Sequence, residues 1–134
     1  MSRRSPTKPN DSRYGIGLRR PHFDEIVEGR ASGVEFVEIL PENYMAFGGK
    51  ARAVVEKVRE RMPVILHGVS MSIGSPDPLN DAYLNDLAAF ASAIEAPFFS
   101  DHLSYSSANG VEYHDLLPLP FSEAMVEHVV RRVD

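Results

Sequence analysis

The chain predicts an α/β fold built on a parallel sheet, and three observations carry that expectation. Short apolar runs alternate four times with segments of helical period. Each connection is long enough for a crossover, the economical way to join parallel strands. The apolar runs also finish one after another in polar or reactive residues: Arg19, Glu42 with Asn43, His67, and Asp101 with His102. Two architectures satisfy this pattern. A doubly wound sheet would be complete within 134 residues, whereas a TIM (β/α)8 barrel needs roughly twice as many. The last segment, Glu123 to Asp134, is an amphipathic helix with no Gly, Pro or strand after it. The succession of polar strand ends matches the loops of a barrel mouth. The expectation is therefore the N-terminal half of a barrel, four βα units over residues 14–134, truncated before a fifth strand and preceded by a disordered tail over residues 1–13.

The elements follow in order. Tyr14 to Leu18 reads as the first strand, and Pro21 to Glu28, closed by Gly29, as a helical turn with Pro at its start and Gly at its stop. Val34 to Leu40 is the second strand, ended by Pro41. Gly48 and Gly49 precede a helix whose apolar residues Ala51, Val54, Val55, Val58 and Met62 keep helical spacing until Pro63. The third strand is Val64 to Leu66. A helix after it carries Leu84, Leu87, Ala88, Ala91 and Ile94 on one face, capped by Asn80 or Asp81. Phe98 to Ser100 is the fourth strand. Tyr105 to Asp115, around Asn109-Gly110, reads as a hairpin, and Ser122 caps the last helix.

Composition narrows the classes of function. A net charge of −5 leaves no basic stripe for nucleic-acid phosphates. Four of the 14 Lys and Arg residues fall in the opening MSRRSPTKPNDSR, which is polar and aperiodic, hence the expected tail. That opening lacks the apolar region of a targeting signal, and no run approaches the length of a membrane span. With no cysteine, a metal site has only His and carboxylates to draw on. A cytoplasmic location is expected.

Chemistry concentrates where strands stop. PVILHGVSMSIGS runs from an apolar strand into His67, and PFFSDHLSYSS from another into Asp101 and His102. Neighbouring parallel strands lie about 4.8 Å apart, so two such imidazoles can converge on one cation. Neutral imidazole suits Fe, and His/carboxylate sets with open positions are the usual environment for O2 chemistry at non-heme Fe(II). The bland alternative is that each histidine bonds only to loop backbone. Asp101 could pair with a histidine or orient a ligand, although neighbours on a strand point to opposite faces. Glu38, inside an apolar strand, is either a functional buried carboxylate or the partner of Arg19. Glu42 and Asn43 either line a pocket or cap the turn after Pro41. His22 either reaches the mouth or starts a helix in solvent. His114 and His128 are assigned no role. The SMSIGSPDP loop lacks both phosphate-binding glycine patterns.

Five ordered blocks, GIGLRRPHFDEI, FVEILPENYM, LHGVSMSIGS, FSDHLSYSS and DLLPLPFSE, resemble the N-terminal half of the multinuclear non-heme iron-dependent oxidative enzymes, the methanobactin/bufferin-type peptide-modifying family long described only as a domain of unknown function. The resemblance runs from about Tyr14 to the last residue. It implies a xylose-isomerase-like TIM barrel with two or three irons that oxidatively modifies ribosomally made precursor peptides, often at Cys, commonly with a partner protein that presents the peptide. By that resemblance His67 and His102 match iron-ligand positions; Asp101, Glu38, Glu42, Asn43, His22 and Arg19 are, from their positions along the chain, the candidates to line the pocket or support these ligands. The other expected ligands, a Glu on the next strand and later Asn, Asp, His and Glu residues, would lie beyond Asp134, so the segment alone is expected to be inactive.

Two other readings stay open at this level. One is a xylose-isomerase-like divalent-metal isomerase or endonuclease barrel, against which stand the absence of a Lys near the strand ends and the HGVS and SDHLS blocks. The other is a non-catalytic doubly wound binding module with structural histidines.

Overall fold

Alternation of apolar residues builds the sheet. The computed structural model describes residues 13–45 and 49–133; the expected tail, but for Arg13, lies outside the described residues. Strands β1 (Gly15–Gly17), β2 (Phe36–Ile39), β3 (Val64–Gly68) and β4 (Phe99–Asp101) pair in parallel in the order β1-β2-β3-β4. In register, Val37 faces Val64, Ile39 faces Leu66, and Leu66 faces Phe99. These residues share one face, and those of β2 and β3 are buried. The other face carries Glu38 beside Ile65 and His67 beside Ser100, because side chains alternate along a strand.

Helices cover the first of these faces. A 3-10 turn (Arg20–His22) leads into α1 (Phe23–Val27); α2 (Glu42–Met45) and α3 (Lys50–Arg59) follow β2, and α4 (Asp81–Ala93) follows the loop after β3. Ile26, Tyr44, Val55, Val58, Leu87, Phe90 and Ile94 pack with Leu18, Val37, Ile39, Val64 and Leu66 into one core. Ile65, on the opposite face, is buried but stands outside that core. A doubly wound sheet reverses its strand order at a switch point. The sequential order here has no reversal and is compatible with an arc of a barrel.

The hairpin forms as the Asn-Gly pair predicts, but is longer. β5 (Ser104–Ala108) and β6 (Val111–Pro118) are antiparallel. Asn109 and Gly110 both hold positive φ, 53° and 75°, the conformation that joins two strands through a two-residue turn. An isolated two-stranded hairpin is marginal in water, so its anchors matter. Asp77 accepts the N–H groups of Asn109 and Gly110, each at 2.9 Å. Ser72 Oγ accepts from Ser106 N at 2.9 Å and Ser107 N at 3.3 Å. Helix α5 (Glu123–Val133) secures the same loop, since Arg132 donates to the carbonyls of Ile73 and Asp77 and His128 Nε2 donates to the Ser75 carbonyl at 2.8 Å.

Three expectations are corrected in detail. β3 continues through His67 and Gly68, two residues past the predicted end, because both still pair with β4. On α4 the buried face is Leu87 and Phe90, continued by Ile94 just past the helix end, while Ala88 is exposed. Glu38 is exposed on the uncovered sheet face rather than buried. The cap of α4 is Asn80, whose Oδ1 accepts from Tyr83 N at 3.1 Å. Asn80→Ala is expected to lower stability by about 1 kcal/mol, measured by urea titration, with no change at the sheet.

Candidate functional site

His67 and His102 come together. Both project from the uncovered face at the carboxyl edge of the sheet, one from the end of β3 and one just after β4, with ring centroids 4.6 Å apart and planes tilted by 47°. In each ring Nδ1 is held by the protein. His102 Nδ1 lies 3.1 Å from the Gly68 carbonyl oxygen, which can only accept, so Nδ1 carries the proton. His67 Nδ1 lies 2.9 Å from Ser100 Oγ, and that hydroxyl is 3.4 Å from the Leu66 carbonyl. The Ser100 hydroxyl can donate to Leu66 and accept from His67 Nδ1–H, or donate to His67 Nδ1, so the contact holds the ring in either tautomer. The Gly68 carbonyl thus assigns His102 the Nδ1–H tautomer, and neither Nε2 atom has a hydrogen-bond partner among the described residues.

The remaining predicted residues divide. Asp101 sits on the face opposite the histidine pair, in register with Gly68. Its Oδ2 accepts from Met71 N at 3.2 Å and its Oδ1 takes the N–H of His102 at 2.6 Å, so it fixes backbone rather than an imidazole ring. Burial pushes the Asp101 carboxyl up; those two N–H groups oppose the rise and the charge of Glu42 adds to it. Gly68 makes room for this arrangement, since a Cβ there would fall 2.5 Å from Asp101 Oδ2 and 3.0 Å from the Tyr83 hydroxyl.

Glu42 is the best-bonded of the set. From the first position of α2 its Oε1 accepts from Val69 N at 2.9 Å, Ser70 N at 3.1 Å and the Tyr83 hydroxyl at 2.8 Å. Burial alone would raise its carboxyl. The N–H groups of Val69 and Glu42 itself, with the Tyr83 and Ser70 donors, outweigh it and hold the carboxyl below the usual range. Tyr83 is correspondingly kept protonated, well above the ordinary tyrosine range, by burial first and then by its donation to Glu42 and the charges of Glu42 and Asp101. Glu42 Oε2 is buried without a hydrogen-bond partner among the described residues.

Asn43 is exposed and His22 half-buried. Neither joins the pair: among the described residues no group of three His, Asp or Glu side chains is placed to hold a metal ion. Arg19 is exposed, with Nε 3.9 Å from where a Cβ on Gly17 would sit. The expected Arg19–Glu38 ion pair is not among those formed by the described residues. Ser100, Tyr83 and the anchoring residues Arg132 and His128 were not predicted. Only Ser100 left a signal, standing two residues before His102 and therefore on its face. A polar cavity of ≈ 260 Å³ beside the loop is lined by Ser70, Ser72, Ser106, Ser107 and Glu112, among others, and by neither His67 nor His102.

The donor set fits a transition-metal cation. Two imidazoles, each held through Nδ1 and without an Nε2 hydrogen bond among the described residues, have the usual preparation of histidine for metal binding. A parallel α/β sheet with such a pair at its carboxyl edge has the arrangement of α/β proteins that place their chemistry on strand-end loops. Comparison with known proteins gives the family. A profile described as RiPP precursor modification enzyme MbnB/TglH/ChrH matches residues 13–134, and the chain belongs to that family. Relatives include a UPF0276 protein of Anaeromyxobacter sp., 50% identical over 120 residues, covering 90% of this chain and 42% of the relative. A UPF0276 protein of Caulobacter vibrioides is 44% identical over 110 residues, covering 82% and 39%. One of Shewanella sediminis is 41% identical over 122 residues, covering 91% and 44%. The chain thus spans less than half the length of these relatives. No helix of the described residues is long and apolar enough to cross a membrane.

Proposed function

We propose that the chain supplies the amino-terminal arc of a TIM-barrel enzyme that uses iron and O2 to modify ribosomally made precursor peptides, often at Cys, with His67 and His102 as two of the iron ligands. The observation that carries this reading is the meeting of the two imidazoles at one edge of the sheet, ring centroids 4.6 Å apart and each ring held through Nδ1. Family membership supports a peptide as the substrate class. The sequential strand order favours a barrel over a doubly wound binding module.

The bound iron, two or three ions in the complete enzyme, would supply the O2 chemistry. The chain's own residues hold and orient. Ser100 and the Gly68 carbonyl fix the two rings, Asp101 and Glu42 fix the loop from Val69 to Met71, and Ser72 and Asp77 hold the hairpin that rises beside His102. Further ligands would come from the rest of the full-length enzyme, which we place in the cytoplasm with a partner protein that presents the peptide.

The full-length enzyme, reconstituted with Fe(II) without oxygen, is mixed with its precursor peptide and then with O2. The expected result is a change in peptide mass that requires both iron and O2 and consumes O2. A modification that proceeds undiminished in metal-stripped enzyme would contradict the proposal.

A further inference from the structure

We propose that Glu42 is a positioning residue for His102, acting through the single peptide group that joins Gly68 to Val69. That peptide is trans and planar, so its N–H and C=O point in opposite directions. At one end Val69 N–H donates to Glu42 Oε1 at 2.9 Å; at the other the Gly68 carbonyl accepts from His102 Nδ1–H at 3.1 Å. The carboxylate and the imidazole therefore hold the same rigid plate from its two sides.

Two consequences follow from elementary electrostatics. Anchoring the N–H fixes the rotation of the plate and with it the direction of the carbonyl that sets the His102 tautomer. A negative charge on the N–H also polarises the amide, leaving its oxygen a stronger acceptor, as in any chain of hydrogen bonds at low local dielectric. The stronger the hold on Nδ1–H, the better Nε2 donates to a cation; a carboxylate bonded directly to a metal-binding histidine has the same effect. Here the peptide stands between them.

The charge on Glu42 strengthens the three hydrogen bonds it accepts, and through the shared peptide it also reaches His102. A glutamine at this position could accept the same three hydrogen bonds without the charge, so a Gln variant separates bracing of the loop from polarisation of the shared peptide. Ser70 N–H and the Tyr83 hydroxyl share Oε1 and keep it against Val69. Gly68 leaves the space in which Asp101 and Tyr83 approach the strand end.

The inference rests on His102 presenting a free Nε2 to metal, and its test separates the two ideas. In the metal-free full-length enzyme, long-range ¹H–¹⁵N correlation is expected to find His102 as the Nδ1–H tautomer and the Val69 amide proton strongly deshielded. Glu42→Gln, folded by its thermal transition, is expected to move the His102 Nδ1–H resonance upfield. It is also expected to bind Fe(II), measured anaerobically against a competing chelator, about tenfold more weakly than wild type. An unmoved resonance with unchanged Fe(II) affinity in the folded variant overturns the proposal. So does an Nε2–H tautomer or an ordinary Val69 amide shift in the wild type, a measurement that stands even where the variant fails to fold. If wild type itself does not bind Fe(II), the metal reading fails, and the His102 resonance alone decides the positioning role.

Discussion

Glu42→Ala is expected to destabilise the full-length enzyme by about 3 kcal/mol, because the substitution strips one acceptor from three donors at once. Val69 N, Ser70 N and the Tyr83 hydroxyl all end on Oε1. A hydrogen bond to a charged group contributes about 1.5–3 kcal/mol, and a buried donor left without a partner costs about 1–3 kcal/mol; water reaching Ser70, which is exposed, offsets part of the loss. Urea titration at neutral pH measures the difference. A loss under about 0.5 kcal/mol, the range of an ordinary surface change, would show that the loop is held by other contacts.

The pH dependence has a definite sign. Glu42 titrates lower in the folded chain than in the unfolded one, so its stabilisation is complete above the ordinary glutamate range and is lost as pH falls through the lowered folded value. The stability gap between wild type and Glu42→Ala should therefore close on acidification. Asp101 is raised, and its contribution runs the other way: it favours the fold below the ordinary aspartate range and is lost as pH rises through the folded value. The two neighbouring carboxylates partly cancel in acid, so the gap between variant and wild type isolates Glu42 better than either melting curve alone.

What the sequence could reveal depended on how far apart the interacting residues lie. The Asn109-Gly110 turn and the Asn80 cap were legible because their chemistry is local: two residues that tolerate positive φ, and an Asx side chain three positions from the N–H it accepts. The strand ends at His67 and His102 were legible as places where polar residues interrupt apolar runs. That their rings would meet needed the parallel register Leu66 to Phe99, which the apolar runs implied without fixing. The role of Glu42 was not legible, since its donors lie 27, 28 and 41 residues away on two other elements. Glu38 misled for a related reason. An apolar strand with one acid reads as buried on both faces, whereas here the acid marks the face the helices leave uncovered. On α4 the regular spacing admitted two adjacent faces, and Phe90, the bulkier residue, took the core in place of Ala88.

The second large effect concerns the histidines. In the full-length enzyme His67→Ala and His102→Ala should each abolish peptide modification, since losing an imidazole opens the site and removes one of two rings held ready through Nδ1. Folding should be largely spared. Both rings lie on the uncovered face outside the core, so thermal transitions should stay cooperative. Ser100→Ala, which frees the His67 ring without removing it, should reduce iron affinity by about 10-fold or somewhat more.

The most direct measurement is the iron content of the purified enzyme. Wild type, His67→Ala and His102→Ala are loaded with Fe(II) under anaerobic conditions, dialysed against a weak chelator, and their iron-to-protein ratio is determined by elemental analysis. Both single variants are expected to lose most of their iron while wild type retains it. Equal iron content in all three proteins would contradict the assignment and return both histidines to a purely structural role.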